Sequence, residues 1–252
     1  MKRLVLAAAL AGFATTATAA DLKICVEGAY PPFSEVTPSG EIVGFDIDIA
    51  NALCGAMGKS CEMVQTEWDG IIPALIEGKC DAIIASMSIT EERKKAVDFT
   101  EKYYYTPAKF IGREGAGLSD TPEGMKGKVV GVQRGTIHQD YMEGKFPGVE
   151  LRLYGTQDEA YLDLQAGRVD AVVADSVAMD YGFLRTDAGK GFAFFGGDHY
   201  DPAFHGPGAG IAVRKDDDAL EAALNKAIKD IRASGEYTAI ANKYFDFDVY
   251  GS

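Results

Sequence analysis

The stretch Asp81 to Lys95, DAIIASMSITEERKK, places two serines and an arginine where a strand turns into a helix. Ala82 to Ala85 are apolar and read as a buried strand. Ser86, Met87 and Ser88 stand where that strand must end, and Thr90-Glu91-Glu92-Arg93 reads as a capped helix start. Backbone N–H groups and hydroxyls at such a turn form an anion site, and a nearby arginine can grip a carboxylate through two parallel bonds. A second strand end carries the opposite sign, Ala171 to Ala174 followed by Asp175-Ser176. Glu27 ends the run Leu22 to Val26 and precedes Gly28-Ala29-Tyr30-Pro31-Pro32, a rigid loop overlooking a crevice; a plain loop charge fits Glu27 equally. Trp68, the only tryptophan, lies at a third strand-to-helix junction, where a ligand-facing ring and a core ring are equally consistent.

The elements that must position these groups follow from periodicity. Strand Leu22 to Val26, a helix opened by Gly44-Phe45-Asp46-Ile47-Asp48 with acids in its first turn, strand Cys61 to Gln65, a helix with the stripe Ile71, Ile72, Leu75 and Ile76, and strand Ala82 to Ala85 make a β-α-β-α-β run. That order predicts a parallel sheet with helices on its faces. Tyr103 to Ile111 reads as an extended crossing segment. A second series follows: strand Lys128 to Val132, loop Gln133 to His138, helix Gln139 to Glu143, strand Glu150 to Tyr154, helix Asp158 to Ala166, strand Ala171 to Ala174 and helix Val177 to Leu184. Strand Gly208 to Arg214 returns after a Gly/Pro-rich segment, and helices Asp217 to Ser234 and on through Tyr244 finish the chain. The expectation is an α/β fold of two lobes: residues 21–107 and 206–252 in the first, 108–205 in the second, with crossings near Thr106 and Gly206 acting as a double hinge.

Bulk properties bound the function. Lys2, Arg3, the apolar run Leu4 to Ala14 and Ala17-Thr18-Ala19 predict a cleavable targeting segment over residues 1–20, and so a mature chain outside the cytoplasm. No other run approaches the ~20 apolar residues of a membrane span, so a soluble mature protein is expected. Without Lys2 and Arg3 the balance is 23 basic against 38 acidic residues, a formal charge of −15. That charge argues against nucleic acid and anionic membranes as partners. Cys54 and Cys61 close the short loop CGAMGKSC in an oxidising compartment and are expected to pair. If the strands of Cys25 and Cys80 are parallel neighbours, Cys25 lies opposite Ile83 and ~10 Å from Cys80, so these two are expected as buried thiols. No zinc-ligand spacing or HExxH occurs, and neither a metal nor a cofactor is expected.

With its pieces placed, the chain resembles the periplasmic solute-binding proteins of ABC importers for polar amino acids, specifically the lysine/arginine/ornithine/histidine branch. The resemblance spans nearly the whole mature chain and rests on the order and spacing of EGAYPPF, GFDIDIANALC, WDGIIPAL, DAIIASMSITEERKK, GVQRGTIHQDY, DAVVADS, GAGIAVRK and KYFDFDVYG. It implies the type II two-lobed fold with a two-strand hinge, a periplasmic monomer, a basic amino acid as ligand and the membrane subunits of an ABC importer as partners. It further implies that Arg93 holds the ligand's α-carboxylate with Ser88 and Thr136, and that Asp175 takes the α-ammonium with Ser86 nearby. Tyr30 and Trp68 would sandwich the side chain and Glu27 pair with its distal cation. Ala85, Met87, Arg134 and His138 complete the implied contact set, and Cys54 and Cys61 fall at the branch's disulfide.

Two departures bear on the ligand. Ala85 stands where much of the branch has a second serine, and His138 where glutamine is frequent. Together with Glu27 and Trp68 they also resemble opine-binding relatives, which take carboxyalkylated arginines. An enzyme is the remaining class, because periplasmic dehydratases share the fold. Against it, no GxSxG occurs, and His138, His199 and His205 lack a local partner pattern.

Overall fold

The computed structural model describes residues 20–251; residues 1–19, which carry nearly all of the predicted targeting segment, lie outside the described residues. The first series comprises β1 (Leu22–Val26), β2 (Ala29–Tyr30), β3 (Ser34–Val36), β4 (Ile42–Val43), α1 (Phe45–Ala56), β5 (Cys61–Gln65), α2 (Trp68–Ile76), β6 (Ala82–Ile83) and β7 (Val97–Tyr104). The second comprises β8 (Ala108–Arg113), α3 (Pro122–Met125), β9 (Val129–Gln133), α4 (Ile137–Lys145), β10 (Glu150–Tyr154), α5 (Gln157–Gln165), β11 (Ala171–Asp175), α6 (Ser176–Met179), β12 (Phe192–His199) and α7 (Pro202–His205). The chain closes with β13 (Ala209–Arg214), α8 (Asp218–Ser234) and α9 (Glu236–Ala241).

Two five-stranded sheets result, ordered β5-β1-β6-β13-β7 and β10-β9-β11-β8-β12, with β2, β3 and β4 in a small third sheet. In each large sheet three strands are parallel, and the other two run antiparallel to their neighbours. The inner parallel strands β6, β9 and β11 are buried on both faces, which is why they read as apolar runs, whereas the edge strands β5 and β10 are partly exposed. In β11 Val172 packs with Ala160 and Leu164 of α5, while Val173 packs with Met142 of α4 on the other face. In the first lobe Ile24 and Val26 meet α1, α8 and α9, and Ile83 and Ala212 meet Ile71 and Leu75 of α2.

The crossings fall at Tyr105 to Pro107, between β7 and β8, and at Gly206 to Gly208, between α7 and β13. They lie side by side, since Ala209, just after the second, pairs with Tyr104, just before the first. Gly206 has φ +64°, and a Cβ there would stand 1.8 Å from Ile89 O, so this approach requires glycine.

Two local expectations are corrected. Cys25 and Cys80 form a disulfide, with Cα atoms 5.7 Å apart, as do Cys54 and Cys61 at 6.1 Å. Cys25 does lie opposite Ile83, but the ~10 Å expectation took the chain as extended back to Cys80. The strand covers only Ala82 and Ile83, and the turn before it brings Cys80 beside Cys25. The helix expected from Thr90 is a single 3-10 turn, Arg93–Lys95, because Val97 to Tyr104, rich in β-branched and aromatic residues, continues as β7. Both acids expected in the first turn of α1 are there; Asp46 is fully buried, whereas Asp48 meets Lys243 and Tyr244 near the surface.

Candidate functional site

Glu27, Arg93 and Asp175, remote in sequence, line one cleft between the two large sheets. Glu27 follows the last residue of β1, Asp175 is the last of β11, and Arg93 opens the 3-10 turn beyond β6. In open α/β sheets, ligands bind at such carboxyl ends of strands.

Asp175 caps α6. Its Oδ1 accepts from the backbone N–H groups of Val177 at 2.8 Å and Ala178 at 3.2 Å. Its Oδ2 accepts from the Thr106 hydroxyl in the first crossing. Its own N–H donates to the Tyr30 hydroxyl across the cleft at 3.3 Å. Burial raises this carboxyl to about 6, against the pull of Thr106 and the two backbone donors.

At the opposite pole Arg93 Nη1 donates to Ser88 O at 2.9 Å and Nη2 to Gly135 O of the second lobe at 3.3 Å. The guanidinium lies 5.3 Å from the Trp68 ring, a cation–π distance. Burial lowers its pKa to about 10, opposed by the charge of Asp140. Thr136 caps α4 beside it. His138 is neutral, since burial, His205 and Arg93 push it down to about 3.

Glu27 forms the third pole. It is 6% exposed, and its Oε1 accepts from Gln133 Nε2 at 2.5 Å. Burial raises it to about 7, opposed by Gln133 and reinforced by Asp158 and Asp69. That shift is a stability statement. Below pH 4.5 both folded and unfolded chains carry the Glu27 proton; between 4.5 and 7 the unfolded chain ionises while buried Glu27 keeps its proton, so stability from this residue is lost across that window and the loss is complete above 7. In ligand-free protein, Glu27→Gln is expected to raise unfolding free energy by up to about 3 kcal/mol at pH 8 and by nothing at pH 4. Urea unfolding at the two pH values measures it, and equal effects would contradict a buried ionised Glu27.

Tyr30, Trp68, Ala85, Ser86, Ser88, Thr136 and His138 also reach the cleft, as expected from sequence. Met87 and Arg134 do not. Met87 points into the core beneath the α2 face, with no exposure. Arg134 reaches across the mouth of the cleft to Asp69, Nε to Oδ2 at 2.9 Å. Trp68 Nε1 makes a parallel connection to Gly135 O at 3.1 Å. Because the Arg134–Asp69 pair is about half exposed, Arg134→Ala is expected to change affinity for any ligand of the cleft less than about fivefold.

The lining also includes residues that the sequence did not place in the site: Tyr104 at the end of β7, Tyr105 and Thr106 of the first crossing, Gly208 of the second, Ala209 at the start of β13, and Gln133, Ile137 and His205. The crossings form part of the cleft's lining, and Gln133, one residue before the loop arginine, was the legible one.

Taken together, the cleft holds two carboxylates and one guanidinium, and none of the three makes a salt bridge among the described residues. Unpaired buried charges are strongly unfavourable. The complement is a small molecule with one anionic and two cationic groups. Among the described residues no cluster of His, Cys, Asp and Glu is grouped to hold a metal, and no helix is long and apolar enough to cross a membrane.

Residues 22–247 match the sequence model of bacterial extracellular solute-binding proteins, family 3. The chain is 52% identical over 258 residues to the L-arginine-binding protein of Pseudomonas aeruginosa, covering 100% of each. It is 40% identical over 259 residues to the lysine/arginine/ornithine-binding periplasmic protein of Escherichia coli, again covering 100% of each. Among solved structures, a Salmonella typhimurium periplasmic binding protein described as highly specific for arginine superposes with a TM-score of 0.83 at 36% identity, covering 89% of this chain and 98% of the other.

Proposed function

Because the chain belongs to the bacterial extracellular solute-binding proteins of family 3, we propose that its cleft captures a basic L-amino acid, arginine foremost, and that the closed form delivers it to an ABC permease. The observation that carries this reading is the charge inventory of Glu27, Asp175 and Arg93. Arginine, lysine and ornithine each present one carboxylate and two cations. In this reading Arg93, Ser88 and Thr136 hold the carboxylate, Asp175 the α-ammonium and Glu27 the distal cation, with the aliphatic part passing Tyr30 and Trp68. Each lobe supplies part of the clamp, so occupancy favours the closed arrangement. Closure is the role assigned to the two crossings, with lobes at 21–107 plus 206–252 and at 108–205. The protein acts in the periplasm as a monomer after removal of residues 1–20, binding and releasing its ligand without catalysis, as relatives named for binding support.

Calorimetry on refolded, ligand-stripped protein tests the proposal. Arginine is expected to bind most tightly, followed by ornithine, lysine and histidine. No heat with any of the four would sink it. A second reading, an opine receptor, draws on one observation: His138 Nδ1 and His205 Nε2 are buried without a hydrogen-bond partner among the described residues, in a cleft widened by Ala85. Octopine and nopaline therefore belong in the same titrations.

A further inference from the structure

The fully buried Asp46, in the first turn of α1, does not line the cleft, yet it is bonded to a residue that does. Its Oδ2 accepts from the Ser86 hydroxyl at 3.0 Å and its Oδ1 from the Tyr103 hydroxyl at 2.8 Å. Tyr103, having given its proton to the carboxylate, accepts in turn from Ser86 N–H at 3.1 Å. Ser86 has φ +54°, a left-handed conformation that a residue with a side chain rarely adopts. This three-residue circuit holds it there. Tyr103 and Tyr104 pack in one core cluster with Val177 and Ala178, whose N–H groups Asp175 caps, and Tyr104 lines the cleft together with Ser86 and Asp175, so this circuit belongs to the Asp175 side of the cleft.

We propose that Asp46 is a positioning residue that sets the polarity of the cleft's ammonium pole: by taking the Ser86 proton it leaves the Ser86 oxygen able only to accept from the ligand. An ionised carboxylate has no proton to give, so both hydroxyls bonded to it must point their protons inward. The Ser86 lone pairs then face the cleft, where they suit an ammonium N–H and disfavour a carboxylate oxygen. The inference rests on the basic-amino-acid reading and extends it to a residue behind the binding surface.

Asp46→Asn separates polarity from shape. The Tyr103 hydroxyl accepts from Ser86 N–H and must still donate, and the fully buried Tyr103 has only the amide oxygen to receive its proton. The amide nitrogen then faces Ser86 and donates to it, which turns the Ser86 proton toward the cleft. An α-ammonium meets a donor instead of an acceptor, whereas an α-hydroxyl, which both donates and accepts, adapts.

The test is calorimetry at pH 8 with L-arginine and with L-argininic acid, its 2-hydroxy analogue, the weaker ligand titrated by competition. Burial raises Asp46 to about 7, so at pH 8 it is ionised. Asp46→Asn is expected to weaken arginine at least tenfold, and to narrow the arginine-to-argininic acid affinity ratio at least tenfold. In a Ser86→Ala background the same substitution should change either ligand less than about threefold. An unchanged ratio, or a loss that persists in the Ser86→Ala background, overturns the role assigned to Asp46. If Asp46→Asn does not fold, Ser86→Ala alone decides: it must narrow the ratio, and equal losses for both ligands overturn the proposal. Wild-type protein that binds no arginine removes the underlying reading as well, whereas wild-type binding with an unchanged ratio removes the Asp46 role alone.

Discussion

Arg93→Ala is expected to abolish measurable binding of every amino acid while the protein remains folded. The guanidinium is the only cation lining the cleft among the described residues once the neutral imidazoles are set aside. A ligand carboxylate brought against Ser88 and Thr136 without it would be desolvated and unpaired. Truncating one partner of a buried, hydrogen-bonded charge pair weakens binding by about 2–5 kcal/mol, roughly thirtyfold to several-thousandfold. Arg93→Lys keeps the charge and loses the planar fork, so an intermediate loss is expected. Asp175→Ala should match Arg93→Ala in binding, and in addition lose the α6 cap, which is worth about 1 kcal/mol of stability. Calorimetry together with thermal unfolding distinguishes these effects. An Arg93→Ala protein that binds arginine within threefold of wild type would show that the carboxylate is held elsewhere.

The sequence made Arg93, Asp175 and Glu27 legible for one physical reason. Each stands at or just beyond an apolar run that reads as a buried strand, and the carboxyl ends of parallel strands open on the same side of a sheet. What it hid was contact made by tertiary structure alone. Tyr104 ends β7, Tyr105 and Thr106 sit in a crossing with no periodicity of its own, and the pairing of β7 with β13 sets them beside the second crossing. Met87 was within reach of sequence reasoning. Beyond the left-handed Ser86, Met87 and Ser88 run alongside β13, where adjacent side chains face opposite ways, so Met87 faces the core while Ser88 faces the cleft. The Cys25–Cys80 bridge was missed because a correct register was extended three residues beyond a two-residue strand. β12 was missed because Gly196 and Gly197 read as loop, although Phe192 to Phe195 pair with β8. Asp46 shows the opposite case: a carboxylate in the first turn of a helix has a ready surface explanation, and only the fold reveals that it is buried behind Ser86.

Glu27→Gln is expected to erase the preference for a cationic side chain, and to do so with a distinct pH signature. In the ligand-free cleft Glu27 is held near 7 by burial, with Gln133 donating to it. A distal guanidinium needs Glu27 ionised, so below pH 7 binding must first release its proton. Arginine affinity should therefore fall about tenfold per pH unit between 7 and 6. Below about 6, where Asp175 also takes up a proton, the fall should steepen. In Glu27→Gln the fall between 7 and 6 should shrink to the bounded part owed to Asp46, which burial also raises to about 7, and the inflection near 6 remains, because Asp175 is intact. Citrulline, a neutral near-isostere of arginine, isolates the side-chain contribution. Wild type must bury Glu27 without a counter-charge when citrulline binds, whereas the variant does not, so the arginine-to-citrulline ratio at pH 8 should collapse at least a hundredfold, about 3 kcal/mol. Titrations of both ligands from pH 5 to 9 read the ratio and the inflections together. A variant that keeps the wild-type ratio would place the distal cation away from Glu27, and one whose affinity falls as steeply between 7 and 6 as wild type would assign that proton wholly to another buried group such as Asp46.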